Sequence, residues 1–201
     1  MSALSTMEPV CLILLLVLVP LWLAAGVGDW WCHRRAHIEC NAGPLESALH
    51  AMMLAEIGLP LLLVLFFEVN AALFAVMLAI LVIHAVTAWV DVQYASTRRE
   101  IAPLEQHMHS LLEVLPLTAI ALLAMAYWDP FLSLFGVGPE AARFRLEVKR
   151  EPLPGIAQVA VLAGAAVFGV LPYGEELVRC LRTRRRTGQT RTGDARVRTG
   201  T

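Results

Sequence analysis

PVCLILLLVLVPLWLAAGVG, residues 9–28, is an apolar run without a single charged side chain. Beyond ~18 such residues, a segment reads as a transmembrane helix. No basic stretch precedes it, and GDWWCHRR follows in place of a small-residue cleavage site, so a retained span is expected and not a removed signal peptide. Working outward, four further apolar runs are found at about 45–67, 71–92, 107–127 and 156–171. Each is long enough to cross a hydrocarbon core about 30 Å thick, the last only just. Composition agrees: 58% of the residues are hydrophobic and 16% charged, against roughly 45–50% and about 25% in soluble domains. A disordered chain, a coiled coil and an ordinary water-soluble enzyme are excluded. The expected fold is an all-α polytopic membrane bundle of about five helices.

Arginine placement predicts orientation. Arg34 and Arg35 follow the first span, Arg98 and Arg99 follow the third, and a basic tail follows the fifth. All fall on one side, which the positive-inside rule makes cytoplasmic, with the N-terminus outside and the C-terminus inside, as in a bacterial-type inner membrane. Residues 128–154 form the outer loop, within which RFRLEVKREPLPG alternates enough for a short strand. The tail 179–201 lacks apolar periodicity and reads as a disordered arm near anionic headgroups, not as a nucleic-acid site. Cys11, Cys32, Cys40 and Cys180 form no zinc-ribbon spacing and read as reduced thiols.

The charges that remain are unevenly placed. All six histidines and nine of the seventeen acids lie between Asp29 and Glu113. Two stretches resemble each other there: GPLESALHAMMLAEIGLPL at 43–61 and APLEQHMHSLLEVLPL at 102–117. Each reads small-Pro-Leu-Glu, three residues, then His, and each follows a span that ends in an acid, Asp29 or Asp91. The chain therefore divides into two tandem hairpins, 9–67 and 71–127, a loop at 128–154, a fifth helix at 155–178 and the tail. Hairpins repeated in one orientation are related by an axis along the membrane normal.

Helix periodicity turns this repeat into a site. Residues four apart share a face, which groups Glu46 with His50 and Glu105 with His109, with Glu113 one turn further. Asp29, His33 and His37 share a face if the first helix continues past the membrane surface, and His84 shares one with Asp91. Ionisable groups at membrane depth cost about 2.5–3.5 kcal/mol each, so a cluster needs pairing or a metal. The expected metal ligands are Asp29, His33, His37, Glu46, His50, His84, Asp91, Glu105, His109 and Glu113. Glu56 and His107 lie off these faces. Glu39 and Glu100 read as solvated partners of nearby arginines, Arg98 as a group that orients a ligand or binds a lipid phosphate, and Trp30 and Trp31 as an interfacial belt.

One acid from each of two helices and a Glu–His pair from each of two others resembles the ligand set of di-iron bundles, with Glu-x-x-x-His here in place of Glu-x-x-His. His33 and His37 in HRRAH resemble the first histidine box of membrane fatty-acid hydroxylases and desaturases; the nearest approach to a later box is HMH at 107–109. The resemblance covers about residues 29–113. It implies a dimetal site, most simply two irons with zinc as the alternative, that hydroxylates, desaturates or similarly oxidises a lipid-soluble substrate, with electrons from a separate donor protein. Zinc-dependent hydrolysis of a lipid amide or ester, metal or proton transport, and a non-enzymatic scaffold are the other readings. No GxGxxG, P-loop or haem motif is present, so a nucleotide cofactor is not expected.

Overall fold

The computed structural model describes the backbone of residues 4–198 and the side chains of residues 9–187. Five helices are long and apolar enough to cross a membrane, which makes the chain an all-α bundle consistent with an integral membrane protein. In the first, Leu4–Ile13 passes through a π-helical stretch, Leu14–Leu18, into Val19–Ala36; its spanning part, Pro9–Ala36, is called α1. α2 is Pro44–Phe66, α3 Ala71–Ser96 and α4 Pro103–Ala126. A short α5, Trp128–Ser133, follows in the outer loop. The fifth span, α6, joins Gly155–Ala165 through a second π-helical stretch, Ala166–Val170, to Leu171–Arg198.

Both π stretches end two residues before a proline, Pro20 or Pro172. A proline ring has no N–H for the carbonyl four residues back and crowds it, and one wide turn relieves both problems. The Pro-Leu-Glu repeat is explained by capping. Pro44 and Pro103 open α2 and α4 at the first helical position, where a missing N–H costs nothing. Glu46 and Glu105 then fall in the first turn, where the helix dipole favours a carboxylate. α3 begins at Asn70, whose side-chain oxygen accepts from the Leu73 amide at 3.2 Å.

The bundle is turned inside out relative to a soluble protein. Large apolar side chains such as Leu16, Val82, Trp89 and Met125 are exposed, whereas Asp29, His33, Glu46, His50, Asp91, Glu105 and Glu176 are at most 2% exposed. α1 packs chiefly on α4 and α2 on α3, so the principal contacts cross between the two sequence hairpins. α3 touches α4, and α6 lies against both α1 and α2, so the order around the ring is α1, α4, α3, α2, α6. The fifth helix is thus part of the wall. α1 and α4 approach closely at Gly28, where a Cβ would stand 2.7 Å from the Met108 sulfur of α4.

An apolar plug of Leu73, Phe74, Met77 and Leu123 closes the end opposite the arginines, and Phe74 meets Phe131 of α5 edge-on at 5.2 Å. The expected strand contributes a single antiparallel bridge, Phe67 to Val148, which ties the outer loop to the α2–α3 turn. Where a disordered arm is expected from residue 179, helix α6 continues. Arg179 pairs with Glu175 one turn back, and Thr183 and Thr187 bond carbonyls of the preceding turn. All four cysteines are free.

Candidate metal centre

Seven of the ten expected ligands converge: Asp29 and His33 from α1, Glu46 and His50 from α2, Asp91 from α3, Glu105 and His109 from α4. The pairing follows the repeat but crosses it. Asp29 of the first hairpin lies 2.9 Å from His109 of the second, and Asp91 of the second lies 3.3 Å from His50 of the first. His33 sits at the middle, its Nε2 3.4 Å from Asp29 Oδ1 and 3.2 Å from Glu105 Oε1. Its ring is stacked on that of His50 at 4.3 Å. Two sets of potential donors result, each with its ligand atoms within 4.8 Å of one another: Asp29, His33, Glu105 and His109, and His33, Glu46 and His50.

Three groups that the sequence reading missed complete the centre. Glu176 of α6 bridges the edges of the two stacked rings, 3.0 Å from His33 Nδ1 and 2.8 Å from His50 Nδ1. An ionised carboxylate only accepts hydrogen bonds, so both Nδ1 atoms carry a proton, which leaves the Nε2 atoms, set beside Asp29, Glu105 and Asp91, as the nitrogens that would bind a cation. This is how an outlying carboxylate fixes the tautomer of a metal-binding histidine. Tyr173, one turn earlier on α6, donates to Asp29 Oδ2 at 3.1 Å. Arg99 joins the repeated glutamates: it donates to Glu46 through Nη2 at 2.5 Å and to Glu105 through Nη1 at 2.9 Å, with a second, shorter contact from Nη2 to Glu105. Burial opposes the charge on Arg99, but the bonds to Glu105 and Glu46 outweigh it and hold its pKa above the usual arginine range.

The donor set fits a cation on three observations. Asp91 Oδ1 is buried without a hydrogen-bond partner, a state that buried polar atoms avoid, and His33 Nε2 and Asp29 Oδ1 meet only one another and the side chains of Glu105 and His109. Donors bound at about 2.0–2.2 Å to one ion stand about 3.0–3.5 Å from each other, close to the separations between His33, Asp29, Glu105 and His109. Finally, five buried carboxylates face one guanidinium. Counted with the histidines neutral, as metal ligation requires, the set carries four negative charges, which two divalent cations would balance. An uncompensated cluster of this kind is too costly to bury.

Three expected ligands lie elsewhere. α1 stops at Ala36, whose carbonyl accepts from Asn41, and His37 turns into the left-handed region at φ 51°. The Asp29–His33 face therefore ends before His37, whose side chain is 74% exposed beside Glu39. His84, nearly two turns from Asp91, bonds Glu56 at 3.1 Å, and Thr87 donates to the same carboxylate at 2.8 Å. This is a separate link between α2 and α3. Glu113 is exposed and borders the cleft above the centre without joining the donors. His107 is exposed. Glu39 pairs with Arg179 of α6 as well as with His37, and Arg98 stacks on Tyr94. Trp30 and Trp31 lie under Arg34 and Arg35.

His37→Ala is accordingly expected to leave bound metal unchanged, whereas His33→Ala removes the donor common to both sets. Elemental analysis of the two purified variants checks the contrast; equal losses would return His37 to the site. No protein-family model, curated protein or solved structure matches this chain, so the reading of its function rests on the site.

Proposed function

We propose that the chain is a membrane-embedded dimetal oxidoreductase, with iron as the metal, that hydroxylates, desaturates or similarly oxidises a lipid-soluble substrate. The observation that carries this reading is the buried convergence of five carboxylates and three histidines around inward-facing Nε2 atoms. Mixed imidazole and carboxylate donors suit iron. A zinc hydrolase uses three protein ligands and a water, and most of this cluster would then have no task. When bound, the two ions supply the electron-transfer and dioxygen chemistry that side chains lack.

The chain's own residues have separate duties. His33, His50, His109, Asp29, Glu46, Asp91 and Glu105 hold the ions. Glu176 keeps protons on the two Nδ1 atoms, Arg99 fixes the two glutamates, and Tyr173 orients Asp29. The apolar cleft above them excludes water. In a hydroxylation, one dioxygen, two electrons and two protons are consumed; one oxygen atom enters a C–H bond and the other leaves as water. The electrons come from a donor protein docking on the arginine-bearing face, cytoplasmic by the positive-inside rule. That orientation puts the N-terminus outside and the C-terminus in the cytoplasm, in a bacterial-type inner membrane.

The test uses full-length protein in lipid nanodiscs, loaded with ferrous iron and supplied with a chemical reductant. Dioxygen uptake should rise when a total membrane lipid extract is added, with lipids that gain an oxygen or lose two hydrogens detected by mass spectrometry. Uptake no faster than that of His33→Ala would refute the reading.

A further inference from the structure

The centre forms the floor of a narrow cleft, and a second, wider cleft adjoins it further out. The lower one has a cavity volume of about 50 Å³, with Asp29, His50, Asp91 and His109 in its wall. The upper one has a cavity volume of about 370 Å³ between the outer halves of α1 to α4, within the ~300–1,000 Å³ of an ordinary ligand pocket. Its walls are aliphatic, and its charged side chains are Lys149 and Glu151 of the outer loop. Trp22 and Ile57 line both clefts, so the two adjoin at that level.

Helix rise gives the distances. Trp22 precedes Asp29 by seven residues on α1, and Ile57 follows His50 by seven on α2, so the junction stands about 10 Å from the centre along either helix. Val10, at the outer limit of the upper cleft, lies twelve residues beyond Trp22, about 18 Å further. From that limit to the centre is thus about 28 Å, nearly the full hydrocarbon thickness of ~30 Å and about twice a single leaflet. Glu46 and Glu105 stand in first helical turns beside Arg99, which puts the centre close to the headgroup level of the arginine-bearing side. A lipid anchored at the outer surface would have to cross both leaflets to reach it. Moreover, the Lys149 ammonium already donates to the Val64 carbonyl at 2.6 Å.

We propose that the substrate is a long-chain amphiphile of the arginine-side leaflet, bound with its polar head at the His/carboxylate centre and its tail running outward past Trp22 and Ile57 into the upper cleft. The carbons nearest the head then face the centre and the methyl end lies furthest away. This rests on the oxidoreductase reading for the reaction, but not for the binding.

Tryptophan quenching tests the orientation directly. A variant keeping Trp22 alone, with Trp30, Trp31, Trp89 and Trp128 changed to Phe, is placed in nanodiscs with fatty acids brominated near the head, at mid-chain or near the methyl end. Mid-chain bromine should quench Trp22 most. In that background Ala119→Phe, in the wall of the upper cleft and ten residues beyond His109, should lower the quenching several-fold while bound iron stays constant. Strongest quenching by the methyl-end probe would reverse the orientation and overturn the proposal, as would quenching of Trp22 no greater than that of a free indole in the same discs. Normal iron with no preferential quenching would sink this inference alone; mid-chain quenching with no iron would sink the dimetal reading and leave the amphiphile in place.

Discussion

Glu176→Gln should weaken metal binding by about 10–100-fold, the usual effect of removing a carboxylate that orients a ligating histidine, while the helices stay assembled. The carboxylate accepts from both His33 and His50, at 3.0 and 2.8 Å. A carboxamide has one accepting oxygen and one donating nitrogen, so it satisfies one ring and donates to the other. The second ring must then present an Nδ1 lone pair and move its proton to Nε2, which closes that nitrogen to a metal. Side-chain volume is nearly unchanged, which separates this effect from loss of packing. Competition against a chelator of known affinity measures it, and the melting temperature of the metal-free variant should match that of the parent. An unchanged affinity would mean that Glu176 merely fills space between α1, α2 and α6.

The second large effect falls on stability. Arg99→Ala should destabilise the metal-free protein by about 3–5 kcal/mol, the range found when one partner of a buried ion pair is removed. The guanidinium side chain is 5% exposed and lies between Glu46 and Glu105, themselves 0% and 1% exposed. Without it, both buried carboxylates lose the donors that compensate their burial. Cations should offset part of this loss, because the truncated centre carries one more net negative charge. Adding ferrous iron should therefore raise the melting temperature of Arg99→Ala more than that of the parent. A loss below about 1 kcal/mol, as for an exposed ion pair, would show that Arg99 does not hold the glutamates.

Much of the centre was legible because helical spacing and the repeat act together. Glu46 with His50 and Glu105 with His109 follow from four-residue spacing, and small-Pro-Leu-Glu marks two equivalent helix starts. Asp29 and Asp91 follow from their places at the ends of apolar runs. The pairing of Asp29 with His109 and of Asp91 with His50 was not legible, since it depends on which helices become neighbours. Placing α6 between α1 and α2 is likewise a tertiary outcome. Glu176 was hidden for that reason: in YGEELVRCLRTRRR an acid beside a basic run reads as a solvated counter-charge. Its neighbour Glu175 is one, bonded to Arg34, Arg179 and Trp30. The available signal was the three-residue spacing of Tyr173 and Glu176, which puts both on one face. His37 failed because HRRAHIEC holds no glycine to announce the end of α1, and His37 takes the left-handed position itself. His84 has the correct spacing from Asp91 but lies too far along α3, where Glu56 satisfies it.

The measurement that bears most directly on the dimetal reading is the metal-to-protein ratio of the full-length chain, purified anaerobically without chelator and reconstituted with ferrous iron. Five buried carboxylates against one guanidinium, counted with the neutral histidines that metal ligation requires, predict about two tightly held ions per chain and close to none in His33→Ala. A parent protein that is folded and monodisperse yet holds no transition metal would contradict it.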